Sequence, residues 1–106
     1  MKMQKIITEE DYMRLVEFFR LLGDVTRLRI VLELKTKRCV GELAEKLDMS
    51  HSAVSHQLNI LKSNGMVKSQ RQGKYIYYML QEEYVQNAIE RCKILFDKEY
   101  SSNIHT

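Results

Sequence analysis

Apolar side chains recur at helical spacing as far as Gly65 and then alternate from Met66 to Leu80. A chain that changes from a period of 3.6 to a period of two, with no proline anywhere to break it, must pack a helix directly against a hairpin. The helix before the change runs from His51 to about Asn64, with Ser50 as its N-cap and Val54, Leu58 and Leu61 on its inner face. Gly65 suits the left-handed residue that follows a helix end. Beyond it, Met66–Arg71 and Tyr75–Leu80 read as two strands joined at Gln72-Gly73, a β-hairpin with a basic tip.

The preceding residues supply three more helices. Thr8 with Glu9, Glu10 and Asp11 is a hydroxyl cap followed by acids in a first turn. Tyr12, Leu15, Val16, Phe19 and Leu22 continue at helical spacing until Gly23. Asp24 opens a second helix with an apolar face of Leu28, Val31, Leu32 and Leu34, and Lys35-Thr36-Lys37-Arg38 is a polar turn. Leu43, Ala44 and Leu47 mark a short third helix over about 40–47. The break at Asp48-Met49-Ser50 has aspartate where helix-turn-helix units often carry glycine, and aspartate tolerates the left-handed conformation. After the hairpin, a helix from about Glu82 to Glu99 carries Val85, Ala88, Ile89, Cys92, Leu95 and Phe96 on one stripe, and the tail 101–106 is expected to fray.

Short helix, tight turn, second helix and hairpin make a winged helix-turn-helix. The expected fold is mainly α with a small β-hairpin: about five helices plus a two-stranded wing, in one domain over residues 1–106. The helix-turn-helix covers about 40–64 and the wing about 66–80. The stripe on the last helix can pack within the monomer, but a symmetric helix pair is the simpler way to hide it.

Charge points to the partner. Residues 1–48 and 82–106 mix both signs, whereas residues 49–81 carry Lys62, Lys68, Arg71 and Lys74 with no Asp or Glu. Such a stretch attracts a polyanion. Ser50, His51, Ser52, Ser55, His56, Gln57 and Asn59 cover the start and outer face of the fourth helix as neutral donors and acceptors, the kind that read base edges in a major groove. The four cations are suited to phosphates, and Gln70 and Gln72 add hydrogen bonds.

Other classes fit less well. No apolar run approaches a membrane span, and the N-terminal stretch lacks the apolar core of a signal peptide. Two cysteines, Cys39 and Cys92, are too few for a disulfide framework and read as thiols of a cytoplasmic protein. No nucleophile–base pair, carboxylate pair or phosphate loop supports an enzyme, and the five-residue separation of His51 and His56 puts them on different helix faces. The alternative to DNA binding is a protein-interaction module whose basic hairpin docks on an acidic partner.

The segments LGDVTRLRIVLEL (22–34) and CVGELAEKLDMSHSAVSHQLNILKSNGMVKSQRQGKYIYYML (39–80), with the amphipathic last helix, resemble the ArsR/SmtB family of bacterial metal- and stress-responsive transcription repressors. The likeness extends over about residues 12–98. It implies a homodimer built on the first and last helices, about 9–22 and 82–99, with Leu15, Phe19, Val85, Ile89, Cys92 and Phe96 at the interface. It further implies binding to an imperfect palindromic operator in double-stranded DNA and release by an effector, a metal ion or a thiol/redox signal. One family metal site uses a Cys-x-Cys box that reads Cys39-Val40-Gly41 here; a second, on the last helix, falls at Glu82, Tyr84, Leu95 and Lys98. Most of these are not metal ligands. No cofactor is required, a metal ion stays open as effector, and Cys39 and Cys92 are candidate thiol sensors. His105 lies in the tail.

Overall fold

The computed structural model describes residues 6–97. They form, in order, α1 (Glu9–Leu22), α2 (Val25–Glu33), β1 (Arg38–Cys39), α3 (Val40–Leu47), α4 (His51–Ser63), β2 (Val67–Gln72), β3 (Tyr75–Leu80), α5 (Tyr84–Lys93) and a 3₁₀ turn at Ile94–Phe96. Among these residues no helix is long and apolar enough to cross a membrane.

Local chemistry sets the helix starts. Thr8 Oγ1 accepts the Asp11 N–H at 3.1 Å while the Asp11 carboxylate accepts the Thr8 N–H at 3.0 Å, a reciprocal capping box. Asp24 accepts the Arg27 N–H at 2.9 Å, and Ser50 Oγ accepts the Ala53 N–H at 3.1 Å. At α3 the Glu42 carboxylate accepts the Cys39 N–H at 2.9 Å. Asp48, the only non-glycine residue with positive φ among the described residues, turns α3 into the approach to α4 at φ 55°.

Ile30, Val31, Leu43, Val54, Leu58 and Leu61 are fully buried at the centre. Each such side chain removed from water stabilises the fold by roughly 1.5–3 kcal/mol. Of the apolar face expected for α2, Val31 and the C-cap residue Leu34 are buried, Leu28 is half-buried and Leu32 turns outward, while Ile30 takes a fully buried place. On α1, Phe18, Leu21 and Leu22 pack inward. Of the stripe read from spacing, Leu22 packs inward as expected, while Tyr12, Leu15, Val16 and Phe19 face out, with Phe19 64% exposed and Leu15 46%.

The exit from α4 is a Schellman motif. Met66 N–H reaches Leu61 O and Gly65 N–H reaches Lys62 O, each at 3.0 Å, with Gly65 at φ +77°. Leu61 and Met66, the two apolar residues that bracket the motif, are both buried. The hairpin starts from a fixed direction for this reason.

Three expectations need correction. The turn is Gly73-Lys74, not Gln72-Gly73, because Gln72 still pairs with Tyr75; Gly73 at φ +64° takes the first central position of a two-residue loop. The sheet has three strands in the order β1-β3-β2, since Arg38 and Cys39 pair with Tyr78 and Tyr77. Two residues are too short to show a period, so β1 was hidden inside a polar turn. The last helix covers Tyr84–Lys93 rather than 82–99 and passes into the 3₁₀ turn, after which Asp97 is extended. Lys98, Glu99, the tail 101–106 and His105 lie outside the described residues.

Val85 also departs from expectation. It is 5% exposed and belongs to the chain's own core rather than to a surface seam. Bonded to Met66 O at 2.8 Å, Gln81 N–H holds the exit of β3 close, so the first turn of α5 falls onto the core.

Gly65→Ala should cost about 1–2 kcal/mol, read as a lower urea midpoint with unchanged slope; an added Cβ would meet nothing within 4 Å, so the cost is purely that of the left-handed backbone. Asp11 and Glu42 are held below the ordinary carboxylate range, chiefly by the backbone N–H each accepts. A carboxyl lowered in the folded state stabilises above its unfolded pKa and loses that contribution as pH falls through its folded one. Stability should therefore drop below about pH 4, and Asp11→Asn with Glu42→Gln should flatten that drop in urea titrations at several pH values.

Candidate nucleic-acid interface

One side of α4 is spent on the core through Val54, Leu58 and Leu61. The opposite side presents His51, Ser52, His56 and Asn59, all exposed, with Ser55 half-buried at its edge and Ser50 exposed at the cap. Ser50 Oγ and Ser52 Oγ lie 3.4 Å apart, so the helix start offers a paired hydroxyl surface. Their hydroxyl, imidazole and amide groups can donate or accept hydrogen bonds.

Gln57 does not join them. It sits one turn from Val54 and beside Leu58, half-buried, and its Oε1 accepts a hydrogen bond from Arg27 Nη1 at 3.2 Å. Its expected place on the outer face is corrected by helical geometry: position 57 flanks the buried stripe and looks toward α2.

The cations of residues 49–81 divide between two surfaces. Lys62 Nζ donates to Ser69 Oγ at 2.7 Å, tying α4 to β2. Arg71 shares the sheet face of Val67 and Ser69, the face that packs on the core and continues toward α4. Lys68, Gln70 and Gln72 alternate onto the other face, so Lys68 does not share a surface with Lys62 and Arg71. Lys74 lies in the turn, 5.5 Å above the Tyr75 ring.

The structure adds a residue that spacing did not single out. Lys37 Nζ donates to Gln72 Oε1 at 2.9 Å and stands 5.2 Å from the Tyr77 ring centroid, on the same sheet face as Lys68. The basic run Lys35–Arg38 was the available signal, but its meaning depends on β1 pairing with β3.

The residues at which a family metal site is implied do not assemble one. Gly41 brings no donor, and a Cβ there would stand 3.6 Å from His51 Cε1, a carbon edge rather than a ligating nitrogen. Tyr84 and Leu95 are exposed, leucine cannot ligate, and Lys98 lies outside the described residues. Among the described residues no three His, Cys, Asp or Glu side chains come together. The donor set does not fit a tetrahedral ion.

The two thiols belong to different surroundings. Cys39 is half-buried at the start of α3, paired through β1 with Tyr77. Cys92 is exposed in a groove of about 470 Å³ between α2 and α5, walled by Leu28, Leu32, Ile89 and Phe96.

Residues 24–69 match the family model for bacterial regulatory proteins of the arsR family. Over 84 residues the chain is 39% identical to the transcriptional repressor SmtB homolog of Synechocystis sp., covering 78% of this chain and 64% of that one. It therefore spans a little under two thirds of that relative's length. It is 33% identical over 101 residues to the cadmium resistance transcriptional regulatory protein CadC homolog of Staphylococcus aureus, covering 93% of this chain and 83% of that one. In three dimensions it is similar to the homodimeric winged helix-turn-helix DNA-binding domain Mb0332 of Mycobacterium bovis, with 25% identity, a TM-score of 0.77 and 93% of each chain covered.

Proposed function

The chain belongs to the arsR family of bacterial regulatory proteins and is a DNA-binding transcription regulator rather than an enzyme; from this premise we propose that it is a cytoplasmic homodimeric repressor of a palindromic operator. The observation that carries the reading is the division of α4: an apolar side buried in the core, a neutral polar side outside, and no acid between residues 49 and 81. An α-helix about 10–12 Å across fits a major groove about 12 Å wide. Ser50, His51, Ser52, Ser55, His56 and Asn59 then face base edges. Lys62 at the far end of α4, with Arg71 and Lys74 on the wing, neutralises phosphates and sets the helix in register without reading sequence.

The outward apolar face of α1 supports pairing. Leu15, Val16 and Phe19 lie outside the monomer core, and so do Leu95 and Phe96 after α5. With Ile89 and Cys92, they form the proposed dimer surface, in line with the homodimeric state given for Mb0332. An isologous pair places two copies of α4 about one DNA turn, roughly 34 Å, apart. The acidic-partner alternative is not favoured, because one of these relatives is a transcriptional repressor and the other a transcriptional regulatory protein.

Release is assigned to the sulfur atoms. The staphylococcal relative is named for cadmium resistance, and Cys39 and Cys92 are the two thiols in this sequence. Thiolate is both the ligand that soft metal ions select and the reactive form in oxidation.

Footprinting on the promoter of the protein's own operon should show a symmetric protected palindrome, and its affinity should fall steeply with added salt. Arg71→Ala should weaken binding to every duplex alike and lower the salt slope by about one. Absence of any symmetric protection, or binding indifferent to salt, would sink the reading. Replacing both cysteines with serine should abolish release by cadmium or by peroxide, and Cys39→Ser alone, away from the proposed dimer surface, should leave operator affinity under reducing conditions unchanged; release that persists in the double variant would remove the thiols from the mechanism.

A further inference from the structure

Arg27 lies outside the DNA-facing surface, yet its side chain touches both elements whose relative placement a dimeric reader has to fix. Its backbone N–H is held by Asp24 at the start of α2. From there Nε donates to Leu21 O at 2.8 Å and Nη1 donates to Gln57 Oε1 at 3.2 Å. Leu21 O is among the last four carbonyls of α1, which have no partner inside their own helix, and a cation there also complements the helix dipole. Gln57 stands mid-way along α4. One rigid guanidinium plane therefore spans the C-terminal end of α1 and the flank of α4.

We propose that Arg27 and Gln57 are positioning residues that fix the orientation of the recognition helix relative to the dimer helix α1, and so set the distance between half-sites that the dimer accepts. The proposal rests on the reading of α4 as the DNA-contacting helix and of α1 as part of the dimer surface. Apolar packing of Leu58 and Leu61 holds α4 against the core without direction, since burial depends on area rather than angle. Two N–H donors held in one rigid guanidinium plane add the direction. Lysine at position 27 keeps the charge but offers a single nitrogen, which cannot reach a carbonyl on α1 and an amide on α4 as a fixed fork does. Gln57 contributes only its Oε1 to this link, and its neighbours Val54 and Leu58 keep the helix seated if the amide is removed.

The test uses full-length protein on duplexes carrying two half-sites at the footprinted spacing, two half-sites one base pair closer or farther, and one half-site alone. Wild-type protein should prefer the footprinted spacing. Arg27→Lys and Gln57→Leu should each reduce that preference about tenfold, the scale of one charge-assisted hydrogen bond, while single half-site affinity and salt slope stay unchanged. The double variant should lose no more than either single one, because both break the same link. Spacing preference retained in Gln57→Leu would overturn the proposal, whatever the stability of the Arg27 variant. An equal loss on every duplex with a salt slope lowered by about one in Arg27→Met would also overturn it, by making Arg27 a phosphate contact. If wild-type protein binds no half-site specifically, the repressor reading falls first and this one with it.

Discussion

The burial of one stripe, Val54, Leu58 and Leu61, seats a 13-residue helix, α4, against the core. The stripe anchors α4 to α2 and α3, and by using up one side of the helix it decides which side chains remain for a partner. Core packing and the exposed polar surface are two sides of one cylinder. A substitution that rotates the helix by one residue, to repair packing, would turn that polar side to a new direction at once.

Burial alone leaves a cylinder free to slide and swivel, and the rest of the fold supplies the directions that burial lacks. Asp48 in the left-handed region and the Ser50 cap fix where α4 begins; the Gly65 joint fixes where it ends and the angle at which the wing leaves it. Lys62 then ties the last turn of α4 to Ser69 on β2. These are short-range, directional bonds at the ends of the helix, each of modest strength. On the flank, the Arg27 guanidinium adds a bond that reaches back to α1.

The parts readable in advance were those decided within about four residues. Thr8, Asp24 and Ser50 as caps, Gly65 at positive φ, and the stripe on α4 all follow from neighbours along the chain. What spacing missed depends on partners far away in sequence. The strand Arg38–Cys39 exists because Tyr77 and Tyr78 are beside it, and Lys37 gained its place on the sheet by the same pairing. Gln57 looked like one more polar residue of an outer face until Arg27, thirty positions earlier, was found on its amide. For Val85, periodicity along α5 marked an apolar stripe but could not say that its first turn would be absorbed by the core and the remainder left outside.

The outward side of α1 has a consequence for how much of the protein a cell needs. If the exposed Leu15, Val16 and Phe19 pair with a second copy as proposed, dimerisation stabilises the folded chain by mass action and folded-state stability rises with concentration. At low abundance the chain would be scarce as a dimer and also easier to unfold and degrade, and the two losses compound. Occupancy of an operator by such a protein would then fall faster than in proportion to its amount. A repressor built this way turns a small change in synthesis into a sharper change in control, before any effector arrives.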